Sequence, residues 1–417
     1  MNSGQKTPSV VVVGAGFGGL EAVRALAHAD VHVTLLDMKN HHCFQPLLYQ
    51  VATAGLSPAD VAWPIRSILA AQRNVTVIMA EVTGIDAPAR FVATADGLHI
   101  PFDYLVLATG VTSSYFNHPE WAKYAPGLKT IEDATRIRGR ILLSFERAER
   151  TETPHERTRS LTFVVVGGGP TGVELAGSIA DIAHNALAKD FRNIDPQSAK
   201  IILIEAGKRI LPTFPDELSE YARNSLVEMG VEVVTGAAVT DCNANGVSIS
   251  DGRLIESSCV LWAAGVKASP AASWLGIQGD RAGRIPVDEH LRVSGFRTIF
   301  AIGDIASVRS DGKPVPGLAP AAKQMGRYVG TLIADDILGS SHDVGPFRYR
   351  HQGDLATIGR KSAVVRLKGL RMKGFVGWVF WGVAHIYFLI GIRNRAIVAI
   401  NWLWEYLTFQ RGARLIS

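Results

Sequence analysis

Short runs of apolar, mostly β-branched residues divide the chain and predict strands buried on both faces of a parallel sheet. Residues 9–13 form the first run, and a glycine-rich turn at 14–19 follows directly. Residues 20–26 then have helical character, and residues 31–37 form a second apolar run that ends in an acid. Strand, turn, helix and strand in this order predict a β-α-β unit.

The same pattern recurs in the middle of the chain. Residues 161–166 form the strand, 167–172 the turn, and 173–177 the start of the helix. Residues 201–205 form the second strand, which again ends in an acid. The recurrence indicates duplication of a whole domain.

Each half also contains an apolar strand that ends in small residues, at 105–110 and at 260–265. A further apolar strand at 298–302 leads into Gly303 and Asp304, and we interpret it as the return of the chain to the first domain. The pattern predicts an α/β protein with two Rossmann-like dinucleotide-binding domains, the first of them discontinuous as in glutathione-reductase-like proteins.

The first glycine-rich turn has the G-x-G-x-x-G spacing of a dinucleotide site. In that motif the first glycine makes the turn, the second admits the pyrophosphate, and the third lets helix and strand pack closely. An acid at the end of the second strand accepts hydrogen bonds from ribose hydroxyls. An ordinary strand-to-helix turn with an incidental acid is the alternative. We assign this site to FAD, with Gly14, Gly16, Phe17, Gly18, Gly19, Asp37, Ala108, Thr109 and Gly110 as binding residues.

The second turn repeats the spacing, with Glu205 in the acidic position. Because a carboxylate there repels a 2′-phosphate, we expect NADH rather than NADPH, although Lys208 and Arg209 lie close enough to weaken the preference. FAD and a nicotinamide dinucleotide are the productive pair for two such sites. The expected NAD-binding residues are Gly167, Gly169, Pro170, Thr171, Gly172, Glu205, Ala264 and Gly265.

The length of the chain and its cysteines limit the number of domains and the kinds of covalent cross-link that can be expected. A chain of 417 residues exceeds one hydrophobic core. The expected domains are 1–125 and 285–345 for FAD, 126–284 for NADH, and 346–417 for a C-terminal region. Cys43, Cys242 and Cys259 have no C-x-x-C spacing, so we expect a reducing compartment and neither a disulfide framework nor a redox dithiol. No signal peptide, metal site or nucleic-acid partner is expected.

The net charge of +5 conceals a basic C-terminal region, in which residues 346–417 contain 12 lysines and arginines against 2 acids. An aromatic-rich apolar stretch at 375–392 is followed by Arg393, Asn394 and Arg395, which we expect to interrupt it, and by a second stretch at 396–407. Aromatic and basic residues suit the surface of an anionic membrane. We predict a monotopic anchor of two helices. A dimer interface, a cover for the flavin domain and one spanning helix are the alternatives.

With these motifs in place, the chain resembles the type II NADH dehydrogenases. The resemblance lies in residues 41–53 (HHCFQPLLYQVAT), 318–324 (LAPAAKQ), 355–360 (LATIGR) and 401–411 (NWLWEYLTFQR). It implies an NADH:quinone oxidoreductase of the respiratory chain, in which two electrons pass from NADH through FAD to membrane ubiquinone or menaquinone without proton pumping. It also implies a peripheral flavoprotein on the cytoplasmic face of the inner (plasma) membrane, for which a homodimer is a further expectation.

The resemblance also implies roles for individual residues. Gly303 and Asp304 are expected at the flavin ribityl chain and Gln45 along the isoalloxazine, whereas Glu174 and Gln324 are the catalytic candidates. The quinone region is expected to contain Pro46, Ala321, Lys323 and Gln324, whereas Pro320 replaces a glutamine of the family pattern.

Some of these residues also have a purely structural explanation. A structural acid near a helix start is the alternative for Glu174, and the satisfaction of backbone groups is the alternative for Gln324. We expect His41 and His42 to be solvated or to stabilise the loop.

Three other functions share parts of the pattern. A sulfide:quinone oxidoreductase needs paired cysteines near the flavin, and other FAD- and NAD(P)-dependent reductases, such as those of ferredoxin or rubredoxin, have no use for residues 375–407. A signalling protein of the apoptosis-factor type would bind both cofactors with little turnover.

Overall fold

A computed structural model describes residues 7–188, 190–339, 344–408 and 413–416. Residues 409–411, the end of the closing family stretch, lie outside this range. The chain divides into two compact units. The first comprises residues 1–42, 63–112 and 266–352, and the second comprises 43–62, 113–265 and 353–417.

A five-stranded parallel sheet organises the first unit. Its strands lie in the spatial order Ile299–Ala301, Tyr104–Leu107, Ser9–Val13, His32–Asp37 and Val75–Met79. Val10, Val11 and Val12 are fully buried in the middle strand, as the apolar run requires. The predicted return of the chain is confirmed in this sheet, because the strand near residue 300 pairs with Tyr104–Leu107.

The helix after the first glycine turn, Phe17–Ala25, packs along Ala319–Ile337. A Cβ atom on Gly326 would lie 2.1 Å from the carbonyl oxygen of Gly18, so only glycine permits this approach. The other elements of this unit are the helices Ile65–Ile68 and Ala271–Trp274, the 3-10 turn Gly303–Ile305, the antiparallel strands Val82–Asp86, Phe91–Thr94 and His99–Pro101, and the short strand pairs Ile285–Pro286 with Ala306–Ser307 and Arg309–Ser310 with Lys313–Pro314.

A four-stranded parallel sheet organises the second unit. Its strands lie in the order Val231–Thr235, Lys200–Glu205, Thr162–Val166 and Cys259–Trp262. The other elements before residue 353 are the helices Leu48–Ala52, Pro58–Val61, Ile131–Arg150, Pro154–Ser160, Pro170–Asp181 and Asp216–Glu228, the π-helical turn Ile182–Ala186, the 3-10 turns Gln45–Leu47, Pro119–Lys123 and Pro196–Ser198, and the antiparallel strands Val239–Asn243, Gly246–Ile249 and Leu254–Glu256. The chain passes between the units at 42–43, 62–63, 112–113, 265–266 and 352–353. The short strands at or next to the first four of these points are His41–Cys43, Ala62–Pro64, Val111–Ser113 and Val266–Ala268.

The C-terminal region belongs to the second unit. Three antiparallel strands, Asp354–Thr357, Ala363–Leu367 and Leu370–Lys373, precede two helices. The helices are Gly374–Phe388 and Ile392–Thr408, and the first packs on the middle strand. No helix in the described ranges is both long and apolar enough to cross a bilayer.

The predicted interruption at residues 393–395 is wrong. These residues lie inside the second helix, and Asn394 is only 4% exposed. The helices separate instead at 389–391, where Leu389 adopts an extended backbone and Gly391, directly before the second helix, has a φ of +83°.

Candidate functional site

The first glycine turn encloses an open space at the start of its helix. A Cβ on Gly14 would lie 2.4 Å from the carbonyl oxygen of Ala108, and one on Gly19 would lie 1.8 Å from the carbonyl oxygen of Gly14. Around Gly16, in contrast, no atom lies within 4 Å of a Cβ position, and the helix Phe17–Ala25 has no side-chain cap in the described structure. Open space at the start of a helix that has no side-chain cap fits the pyrophosphate of a dinucleotide.

Asp37 joins this turn to the end of its strand. Its two carboxylate oxygens accept the backbone N–H groups of Ala15 and Lys39, each at 2.7 Å. Burial raises the pKa of Asp37, and the two amides oppose that shift. Each oxygen keeps a further lone pair, so the carboxylate can accept ribose hydroxyls while it braces the turn.

The remaining FAD candidates of the first unit occupy turns after the strands. Gly110 and Gly303 have positive φ angles of +68° and +71°, and Thr109 shares a hydroxyl hydrogen bond with Ser269. Asp304 is half-buried and faces Gly317.

His42 also contacts the first glycine turn, a contact that the sequence did not predict. Its Nδ1 lies 2.9 Å from the carbonyl oxygen of Ala15, and its ring meets Phe17 edge-on at 5.0 Å. Burial lowers the pKa of His42 to about 4. The imidazole is therefore neutral at physiological pH, and its Nδ1–H donates to the turn.

Gln324 makes paired hydrogen bonds with the backbone of Arg350. Its Nε2 donates to the Arg350 carbonyl, and its Oε1 accepts the Arg350 N–H, both at 2.9 Å. This is the geometry of the structural alternative for Gln324. Beside it, Ala321 is buried and the ammonium of Lys323 lies 5.6 Å above the ring of Phe17.

The second glycine turn repeats the first in detail. A Cβ on Gly172 would lie 1.8 Å from the Gly167 carbonyl oxygen, whereas the Cβ position of Gly169 has no atom within 4 Å. Glu205 accepts the N–H groups of Gly168 and Gly207, each at 2.6 Å, as Asp37 does in the first unit. Pro170 occupies the first helical position, Thr171 follows it, and Ala264 and Gly265 lie beyond the neighbouring strand.

Glu174 lies in the helix that this turn begins and is only 8% exposed. Burial raises its pKa well above the ordinary value, and a backbone hydrogen bond from Thr357 opposes the shift. Glu174 lies beyond the first turn of its helix, where the effect of the helix dipole has fallen off, so the dipole does not account for a carboxyl at this position.

A cavity that is partly open to solvent lies in the second unit beside the C-terminal helices. Ser178 reaches it from the Glu174 helix, one turn further on. Trp402 donates from Nε1 to Oε1 of Gln50 at 2.7 Å, and its ring lies 5.1 Å from that of Trp381 at an interplanar angle of 33°. The lining residues are Tyr49, Gln50, Thr53, Gly55, Ser178, Thr357, Gly359, Arg360, Trp378, Trp381, Trp402, Glu405 and Tyr406. Gln45 and Pro46 form the 3-10 turn that precedes the helix Leu48–Ala52.

Comparison with known proteins identifies the family. The pyridine nucleotide-disulphide oxidoreductase model matches residues 8–326, and the NDH2 C-terminal domain model matches 351–411. Two type II NADH:quinone oxidoreductases of Mycobacterium tuberculosis are 41% and 43% identical, each over 98% of this chain and over 90% and 89% of their own.

Solved structures agree on the fold. NDH2 from Plasmodium falciparum, in complex with NADH, has a TM-score of 0.89 at 22% identity and covers 98% of this chain and 99% of its own. The sulfide:quinone oxidoreductase of Aquifex aeolicus reaches 0.74 at 18% identity, covering 93% of this chain and 92% of its own.

These findings confirm the predicted α/β dinucleotide-binding fold, the FAD-dependent NADH:quinone oxidoreductase activity and the cofactors FAD and NADH, and they do not favour the sulfide:quinone alternative. The chain belongs to the type II NADH:quinone oxidoreductase family.

Proposed function

We propose that the quinone head group binds in the cavity beside the C-terminal helices, where the electrons of NADH leave the protein. The aromatic walls of that cavity carry the proposal, because Trp378, Trp381 and Trp402 line it with rings against which a quinone ring can pack. Gln50 supplies an amide for its carbonyl groups. The same helices expose apolar side chains on their other side, which suits an isoprenoid tail that stays in the bilayer.

The overall reaction consumes one proton: NADH, one H⁺ and quinone give NAD⁺ and quinol. FAD, when bound, supplies the chemistry that accepts a hydride and passes on two electrons. Residues of the first turn hold it in this proposal, with Gly303, Asp304 and Gln45 toward the flavin end, and residues of the second turn hold NADH.

We propose Glu174 as the source of that proton. It is buried, holds its proton above the ordinary pKa range, and hydrogen-bonds to the backbone of Thr357, which lines the cavity. We assign it the role of proton donor to the quinone. Gln324 remains the second catalytic candidate, and Pro46, Ala321, Lys323 and Gln324 remain the quinone region that the family resemblance implies.

Replacing Glu174 by glutamine is expected to lower quinone reduction about 10- to 100-fold, because an isosteric amide cannot deliver a proton. Ferricyanide reduction, which takes electrons without protons, should fall less than twofold. Steady-state rates with both acceptors and a solvent isotope effect measure the difference. Equal losses with the two acceptors would contradict the assignment.

The same substitution gives an independent test of the raised pKa. Between the ordinary pKa of a glutamate and the raised pKa of Glu174, the folded protein binds more protons than the unfolded chain, so stability falls as pH increases through that window. Glu174→Gln should therefore make the unfolding free energy less dependent on pH above about 4.5. Denaturant titrations at several pH values would show it.

The chain is also proposed to work at the cytoplasmic face of the inner (plasma) membrane, docked on anionic lipid. Its three cysteines are free, which suits a reducing compartment. The C-terminal helices expose an apolar outer face, and Lys361, Lys368 and Arg371 are exposed in the preceding strands and turns. The apolar outer face consists of Val376, Val379, Val383, Tyr387, Ile400, Leu403, Trp404 and Leu407. A homodimer through this face is the second candidate arrangement.

The domain division proposed for this function keeps 1–125 and 285–345 for FAD, 126–284 for NADH and 346–417 for the membrane. The proposed function is tested by a steady-state assay, in which NADH, and much less NADPH, is expected to reduce a short-chain ubiquinone in the presence of rotenone. Quinone reduction driven by sulfide, without NADH oxidation, would contradict the function.

A further inference from the structure

Phe116 is an exposed aromatic residue that follows the short strand Val111–Ser113. It lies against Gly265, which follows Cys259–Trp262, the edge strand of the second unit's parallel sheet. Its side chain is 60% exposed, yet a Cβ on Gly265 would lie 2.7 Å from the ring atom Cζ. The ring therefore lies directly on the backbone of Gly265, and a side chain at that position would displace it.

The loop that carries Phe116 is fixed on both sides. Ser114 donates its N–H to the Gly265 carbonyl at 3.2 Å, and its own carbonyl accepts the indole N–H of Trp262 at 2.8 Å. Phe116 and Asn117 have φ angles of +49° and +73°, a left-handed backbone that a bulky residue rarely adopts. The fold thus holds an apolar ring in water at some conformational cost, which is common where a ligand is to be contacted.

Sheet topology indicates which part of a dinucleotide reaches this ring. A dinucleotide lies across the carboxyl ends of parallel strands, with its adenosine ribose at the acid and its pyrophosphate at the glycine turn. Glu205 ends one strand, the glycine turn follows the next, and Gly265 follows the strand after that. Gly265 therefore lies on the side away from the adenosine, at the nicotinamide half.

We propose that Phe116 packs against the nicotinamide ring of NADH and helps to orient this ring, which donates the hydride. The inference rests on the proposed placement of NADH along the second glycine turn. It adds a specificity-determining residue that distinguishes nicotinamide dinucleotides from ligands, such as ADP-ribose, that lack the nicotinamide.

Two ligands that differ only in the nicotinamide separate this role from a general effect on the site. In calorimetric titrations of the FAD-loaded protein, Phe116→Ala should weaken NAD⁺ binding about tenfold and raise the KM for NADH similarly, while ADP-ribose binding changes less than twofold. Phe116→Tyr should bind both ligands like the wild type. Leu254→Ala, which removes another exposed apolar side chain of the same unit, is the matched control.

Equal weakening of NAD⁺ and ADP-ribose by Phe116→Ala, or no change in either, would overturn the proposal for Phe116. Failure of the wild-type protein to bind ADP-ribose would instead overturn the underlying NADH site. The two failures are therefore distinguishable in one set of titrations.

Discussion

Replacing Gly19 by alanine is expected to give a folded protein that retains little or no FAD. The added methyl group would lie 1.8 Å from the carbonyl oxygen of Gly14, far inside van der Waals contact. Helix and turn must then separate, and the helix start moves away from the pyrophosphate. An overpacking cost of about 2–3 kcal/mol corresponds to roughly 30- to 150-fold weaker binding. The flavin-to-protein absorbance ratio of the purified variant measures it.

The control for this experiment is Gly139→Ala. Gly139 lies within the helix Ile131–Arg150, and no atom lies within 4 Å of its Cβ position. Alanine there should leave FAD content unchanged and stabilise the helix by up to about 1 kcal/mol. A Gly19→Ala protein with full FAD content and normal turnover would show that the turn adjusts freely, and the assignment of its third glycine would fail.

The duplicated architecture supplies an internal counterpart. Gly172 has the same 1.8 Å constraint, against the carbonyl oxygen of Gly167 in the second unit. Gly172→Ala should therefore retain FAD but weaken NAD⁺ and ADP-ribose together. If Gly19→Ala loses FAD while Gly172→Ala keeps FAD and loses NAD⁺ binding, FAD is assigned to the first glycine turn and NADH to the second. Loss of FAD from Gly172→Ala would contradict the assignment of the two turns.

The sequence predicted the parts of the fold in which close packing leaves few choices. The strand predicted at residues 9–13 is observed as Ser9–Val13, and the acids predicted to end the second strands end them. These positions can be predicted from the sequence because a buried parallel strand must be continuously apolar and a phosphate-binding turn must have glycines at fixed spacing. The FAD and NADH assignments followed from the same local constraints.

Features that depend on contacts between residues far apart in the chain could not be predicted from the sequence. The bond between Gln50 and Trp402 joins residues 352 positions apart, and no local pattern marks either residue as a cavity wall. The paired hydrogen bonds of Gln324 with Arg350 depend on where residues 344–352 pass, which their composition does not specify. The helix break at 389–391 was misplaced because Arg393 and Arg395 look disruptive in an apolar run. The helix Ile392–Thr408 contains both arginines, and the first helix has already ended at Phe388, before the extended Leu389.

Charging the apolar outer face is expected to release the protein from membranes without loss of its redox chemistry. Val383 and Leu403 are 64% and 60% exposed on the two C-terminal helices, so glutamate at both positions disturbs no packed core. Loss of two buried aliphatic side chains at a lipid interface costs about 3–6 kcal/mol, at least 100-fold in partitioning. Substitution is a better test than truncation before residue 370, which would expose Val364 and Val365.

The measurement is sedimentation with anionic vesicles, followed by assays with ferricyanide and with a long-chain quinone dissolved in the vesicles. The double variant should stay in the supernatant, reduce ferricyanide at the wild-type rate and lose most of its activity with the bilayer quinone. Val227→Glu, at an exposed site on the helix Asp216–Glu228, should sediment normally. If the double variant still sediments but elutes as a monomer where the wild type is a dimer, the outer face joins two copies instead. The aromatic cavity would then need another route for its quinone, because the helices that line it would no longer face lipid.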